Sequence, residues 1–178
     1  TMCGFDVTST EVSRAAKLLD ESLTAWRTRP LGKYCYLFLD ARYEKVRRDG
    51  FVVDSAVLIA YGIDEKGTRH ILGLSVSLSE SEVHWRNFLT SLVERGLHGL
   101  ELITSDAHSG LKAAKKAVFP SVPWQRCQFH LQQNAQSYVP KRHMRREVAA
   151  DIRAILQAIN RQEAERLLVI IVKKYREN

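Results

Sequence analysis

Between Leu100 and Leu131 the chain sets an apolar run, an acid, a helix-forming stretch, two prolines, a second apolar run and a Cys-x-x-His pair in close succession. Leu100, Leu102 and Ile103 lead into Ser105 and Asp106, so a carboxylate stands where a short strand ends. Open α/β sheets carry their chemistry at that edge. His108 to Phe119 is rich in Ala and Lys and reads as a helix, stopped by Pro120 and Pro123. A strand near Val122 to Trp124 can return beside the first and deliver Cys127 and His130 just beyond its end. Each of these residues also has a purely structural reading. Asp106 or Ser109 could cap the helix that follows. Cys127 and His130 have the spacing of half a zinc site but no second pair to complete four ligands, which leaves a buried cysteine and a hydrogen-bonded histidine.

The preceding part of the chain supplies the elements such a unit needs. Thr8 and Glu11 form a capping-box pattern, and Val12, Ala15, Leu19, Leu23 and Trp26 recur at helical spacing. This helix is either the last piece of a DNA-reading region or a linker packed on the domain, and Arg29-Pro30-Leu31-Gly32 ends it. Tyr34 to Leu39 reads as a central strand with Asp40 directly after it. An acid there is costly to bury unless it is paired, hydrogen-bonded or bound to metal; solvation at a strand end is the alternative. Val52 to Gly62 and His70 to Leu78 read as two further strands around the turn at Asp64 to Gly67. Val83, Trp85, Phe88, Leu89, Leu92 and Val93 mark a helix that closes at Gly96. After His130, Gln132 to Pro140 is polar, and Met144 to Ile159 and Gln162 to Tyr175 read as two helices with a capping box at Asn160 and Glu163.

Composition places limits on this reading. The 178 residues suit one domain with extensions, and 45% hydrophobic with 26% charged residues is ordinary for a globular protein. No apolar run approaches the length of a membrane span and the N-terminus lacks a signal architecture, which points to a cytoplasmic protein. Three cysteines, Cys3, Cys35 and Cys127, argue against a disulfide framework. The formal charge of +7, from 27 Lys and Arg against 20 Asp and Glu, leans towards a polyanionic partner. Basic residues cluster at Lys45, Arg47 and Arg48 after the first strand, and at Lys141, Arg142, Arg145 and Arg146. Either cluster is a phosphate-contacting surface or a solvated face.

Three strands, helix, strand, helix, strand is the layout of the ribonuclease H-like fold, in which strands one and four are neighbours. Asp40 and Asp106 would then converge despite their distance in sequence. Two carboxylates at one point repel unless a cation lies between them, and oxygen ligands suit Mg²⁺ or Mn²⁺. Paired ions of this kind serve in-line phosphoryl displacement.

Leu39-Asp40-Ala41, Trp85, Arg95-Gly96-Leu97, Ser105 to Leu111, Phe119-Pro120 and Gln125 to His130 together resemble the Mutator-type transposases of bacterial insertion sequences. The resemblance implies a DDE recombinase, in which two Asp and one Glu hold the metals that cut DNA at transposon ends and join the 3′-hydroxyl to target DNA. Asp40 matches the first acid and Asp106 the second. Cys127 and His130 match the family's Cys-x-x-His, with a supporting or DNA-contacting role. The resemblance also implies a helical insertion before the Glu. The chain is therefore expected to be incomplete at both ends: residues 1–32 as the end of a DNA-binding region, 33–135 as the catalytic core, and 136–178 as the start of the insertion. The third acid is expected beyond Asn178, which would leave these residues inactive alone. Double-stranded DNA and further copies of the protein are the implied partners. A non-catalytic DNA-binding remnant of a transposase is the competing reading, and a nuclease or resolvase of the same fold is a third.

Overall fold

The computed structural model describes residues 8–48 and 50–176. The elements are α1 (Ser9–Thr28), β1 (Tyr36–Arg48), β2 (Phe51–Ile63), β3 (Arg69–Ser77), α2 (Glu82–Glu94), β4 (Leu102–Ser105), α3 (Ser109–Val118), β5 (Trp124–Arg126), α4 (Gln128–Ser137), α5 (Arg145–Leu156) and α6 (Arg161–Arg176). A 3-10 turn at Arg142–Met144 precedes α5. The five strands form one sheet in the order β3-β2-β1-β4-β5. The β1–β2 and β2–β3 pairs are antiparallel. This is the ribonuclease H-like layout, with the first and fourth strands adjacent. Two compact units divide the chain, Thr1–Thr104 with His108–Trp124, and Ser105–Ala107 with Gln125–Asn178.

In the first unit the period-two pattern of β2 decides which face is covered. Ala56, Leu58 and Ala60 alternate into the core, and their partners across the ladder, Tyr43, Ala41 and Leu39, share that face. Helix α2 meets it with Trp85, Phe88, Leu89 and Leu92, a spacing that puts all four on one stripe, and α3 adds Leu111 and Ala114. Gly73 on β3 lets α2 sit close, since a Cβ there would lie 3.1 Å from both Leu92 and Phe88.

The first strand does not stop before Asp40. It runs to Arg48, and every residue from Tyr36 has a partner in β2. Polar side chains do not break the ladder because Asp40, Arg42 and Glu44 fall on one face by alternation, where Arg42 and Glu44 pair at 2.5 Å in solvent. Lys45 and Arg47 therefore lie inside β1 instead of following it. At the β2–β3 turn the Asp64 carboxylate accepts hydrogen bonds from the Thr68 and Lys66 N–H groups, at 2.8 and 2.9 Å, and faces His70 Nε2 at 3.0 Å. The Thr68 N–H, followed by His70, holds this carboxyl below its ordinary range.

Helix α1 has the expected capping box, with Thr8 and Glu11 reciprocally bonded. Most of its length is not packed on the domain: none of its residues is fully buried, Val12, Leu19 and Leu23 are exposed, and Trp26 in its last turns is half-buried. The segment after it is held firmly. Leu31 N–H donates to Arg95 O, His98 N–H to Gly32 O and Tyr34 N–H to His98 O, at 2.7, 3.2 and 3.0 Å. The Arg95 guanidinium adds bonds to the Arg29 and Leu72 carbonyls at 3.0 and 2.9 Å.

In the second unit the polar stretch from Gln132 proves to be helical, as part of α4. Its sequence gives little amphipathic signal, and no residue of it is buried. Helices α5 and α6 are joined by Lys174, whose Nζ lies 2.7 Å from both Asp151 Oδ2 and Glu147 Oε1, while Tyr175 donates its hydroxyl to Asp151 Oδ2 at 2.7 Å. Burial pushes the Asp151 carboxyl up, but the hydrogen bonds from Lys174 and Tyr175 outweigh it and the net displacement is downward. Half of the expected box at the start of α6 forms: Asn160 Oδ1 accepts from Glu163 N–H at 2.9 Å, whereas the Glu163 carboxylate turns to Arg166.

Candidate functional site

Asp40 lies within β1 opposite Ile59, on the sheet face away from Leu37 and Leu39. Its side chain is exposed, and Oδ1 accepts the Ala41 N–H at 2.9 Å. On the same face Phe38 stacks flat on Tyr61, ring centroids 4.6 Å apart, which gives the strand a rigid side-chain neighbour two positions before the acid.

Asp106 follows β4 directly, as the sequence indicated, and is half-buried. Its Oδ1 accepts the Ala107 N–H at 2.7 Å. It does not cap α3: the residue in the cap position is His108, without a side-chain cap bond. The second unit also holds the Cys-x-x-His pair. Cys127 N–H donates to Ser105 O at 2.6 Å, which ties the end of β5 to the residue before Asp106. Cys127 occupies the cap position of α4 and His130 lies in that helix, its ring edge-on to Phe129 at 5.4 Å. Both Cys35 and Cys127 are free thiols, and Cys3 lies outside the described residues. Among the described residues no group of three or more His, Cys, Asp or Glu is arranged to hold a metal.

Two features of the Asp106 region were not read from the sequence. Gly110, at the start of α3, touches the loop before α2: a Cβ there would stand 2.7 Å from Glu80 O and 2.9 Å from Glu82 N. Glu80, largely buried, places Oε2 4.0 Å from His108 Nδ1. The glycine in Ser105 to Leu111 was visible as part of a motif, but nothing local to it announces a contact with a residue some thirty positions earlier.

The basic residues fall in two places. Lys45 and Arg47 share one face of β1 in its exposed outer half, with Tyr43. The backbone of Arg48 is in β1 and its side chain lies outside the described residues. Lys141, Arg142, Arg145 and Arg146 are exposed around the 3-10 turn and the first turn of α5, where Arg142, His143 and Arg146 border an open concavity.

The model of the Transposase, Mutator family matches residues 1–177. The chain belongs to the Mutator transposase family. This Mutator-family chain is 61% identical over 162 residues to the transposase for insertion sequence element IS406 of Burkholderia multivorans, an overlap of 91% of the chain and 42% of that relative. It is 47% identical over 143 residues to the transposase for insertion sequence element ISRM5 of Rhizobium meliloti, covering 80% of the chain and 36% of the relative. The chain thus spans less than half the length of these two curated relatives. Among solved structures, a Drosophila P element transposase strand transfer complex overlaps 75% of the chain and 44% of its own, at 14% identity and a TM-score of 0.37, too loose to add to the fold described above. No helix among the described residues is long and apolar enough to cross a membrane.

Proposed function

We propose that the chain supplies the first two acids, Asp40 and Asp106, of a DDE-type transposase that cleaves and transfers DNA strands at the ends of an insertion sequence in the bacterial cytoplasm. The observation that carries this reading is the family match along almost the whole chain, with both acids inside it. The adjacency of β1 and β4 in the sheet supports it, because it brings the strands that lead to the two acids side by side. Identity of 61% to an insertion sequence transposase supports an enzyme over a non-catalytic remnant.

Asp40 and Asp106 would hold Mg²⁺ or Mn²⁺. Both offer carboxylate oxygens, the hard donors these ions take. In each, Oδ1 is held by the N–H of the next residue, which orients the carboxylate before any ion arrives. When bound, such ions activate a water or a 3′-hydroxyl and steady the leaving oxygen of the phosphodiester. The third acid, a Glu, is assigned to no residue of this chain. Cys127 and His130 act as support: the Cys127 N–H bond to Ser105 O fixes the backbone beside Asp106. Mn²⁺ titration followed by NMR tests the assignment. Amides around Asp40 and Asp106 should broaden together, and Asp106→Asn, which removes charge but little volume, should abolish the effect with the fold intact. Equal broadening in the variant would refute Asp106 as a ligand.

Double-stranded DNA, as transposon ends and target, is the proposed substrate, bound by a homo-oligomer. Lys45, Arg47 and Arg48 on the β1–β2 hairpin, and Lys141, Arg142, Arg145 and Arg146 ahead of α5, are the proposed phosphate contacts, with α1 as the end of a DNA-binding region. Replacing Lys45 and Arg47 together by Ala should weaken binding to any duplex sequence and flatten the log–log salt slope by roughly 2, about 0.9 for each phosphate no longer neutralised. An unchanged slope in a fluorescence anisotropy titration would return this cluster to the solvated surface.

A further inference from the structure

The outer strand β3 is protected only near its start, where the register with β2 shifts at Leu72, opposite Ala60 and Tyr61. From Ile71 to its end at Ser77 it contains no charged residue and no proline, the residues that most often blunt such edges, and neither does Leu78-Ser79 just beyond it. The sheet's other outer strand, β5, is only three residues long. The first carbonyls of β3 are occupied, Ile71 O by the Arg29 guanidinium at 2.6 Å and Leu72 O by Arg95. From Gly73 to Leu78 the chain borders an open groove of about 730 Å³, which α2 lines at His84, Asn87 and Ser91 and the end of α1 at Arg27 and Thr28. Leu74, Val76 and Leu78 are 41, 60 and 60% exposed. Leu74 and Val76 stand on the same sheet face as their β2 partners Ile59 and Val57.

The sequence here reads the same in both directions: Leu74-Ser75-Val76-Ser77-Leu78. Antiparallel pairing with a second copy about a two-fold axis at Val76 sets Leu74 opposite Leu78, Ser75 opposite Ser77 and Val76 opposite itself. Apolar residues then meet on one face and serines on the other, the cross-strand matches that stabilise a sheet. A slip of one residue would set Leu or Val against Ser, which disfavours it. A two-fold contact requires this kind of self-complementarity, because the same patch serves both subunits.

We infer that β3 is a self-association edge through which two copies of this chain join residues 73–78 antiparallel, continuing one sheet into the next. This gives a surface to the homo-oligomer proposed above and rests on that part of the reading. Sedimentation equilibrium of the 178-residue chain, compared with Val76→Lys, provides the test. The substitution sets two like charges opposite each other at the axis; because Val76 is exposed, circular dichroism should show an unchanged fold. The natural chain is expected to dimerise, and Val76→Lys to raise the dissociation constant by about tenfold or more. Val76→Cys should form an interchain disulfide under mild oxidation, since facing residues of an antiparallel pair lie within disulfide reach. The unsubstituted chain and Val93→Cys on α2 should not crosslink at that rate. A chain that stays monomeric overturns both the edge pairing and the oligomer reading for these residues. A dimer untouched by Val76→Lys and not captured through Val76→Cys overturns the edge alone.

Discussion

Trp85→Ala should lower the unfolding free energy of the chain by about 3–5 kcal/mol, the range for removing a large aromatic from a packed core. Trp85 is fully buried in the cluster that joins the sheet to α2, with Phe88 tilted against it at 6.1 Å between ring centroids. Little around it can close the space: Leu37, Leu58, Leu72 and Leu89 are themselves fully buried and held by strands and helix. The indole Nε1 is buried without a hydrogen-bond partner. Trp85→Phe should therefore cost much less than Trp85→Ala, because the polar atom it removes made no bond and most of the apolar volume stays. Urea unfolding of the two variants, monitored by far-ultraviolet circular dichroism, gives both values. Equal losses would mean that the indole nitrogen is satisfied in solution, and a loss below about 1 kcal/mol for Ala would contradict its place in the core.

Gly110→Ala should cost about 1–3 kcal/mol, and Gly110→Val more, through overpacking against backbone. The atoms a Cβ would meet are Glu80 O, Glu82 N and Ser81 C at 2.7, 2.9 and 3.1 Å, none of which is the movable end of a side chain. Gly96 makes a useful contrast. Its φ of +89° is what favours glycine there, and a Cβ at that position would meet nothing. Replacement of Gly96 by Asn should thus recover part of the loss seen with Ala, since Asn tolerates that backbone region, whereas no residue rescues Gly110. Unfolding curves for the four variants separate a steric requirement from a conformational one. The distinction bears on function because Gly110 lies four positions after Asp106, in the segment that seats α3 against the loop before α2.

Much of this fold was readable from local patterns. The apolar run of β2 and the 85, 88, 89, 92 stripe of α2 each have a buried side to obey, and both elements appear where the sequence put them. The place of Asp106 at the end of β4 was equally legible, since the apolar run of Leu100, Leu102 and Ile103 leads straight to it, although helix capping was an open alternative for its role. Asp40 reads as a strand end in the sequence and lies instead inside a strand. From Asp40 to Arg47 no residue of β1 is buried, so the alternation that identifies a strand fades while the backbone ladder continues. The informative signal was at the far end, in Asp49-Gly50, a pair typical of two-residue hairpin turns. Gly50 has the positive φ of 84° such a turn needs, and Asp49 lies outside the described residues. Helix α4 escapes a reading by pattern because a polar helix with no buried residue leaves no periodic trace. The role of Gly110 required knowing which two helix starts meet, which no short window of sequence contains.

The backbone ladder between residues 31–34 and 95–98 has a mechanical consequence. Helix α1 has no fully buried residue, yet the strand of chain leaving it is bonded side by side with the residues that follow α2, and Arg95 fastens that seam to β3. A pull on α1 along its exit direction would load these bonds in parallel, as shear, instead of opening them one after another like a zipper. Whatever load α1 bears would reach the sheet as a movement of the whole α2–β3 corner, with little slack taken up in between.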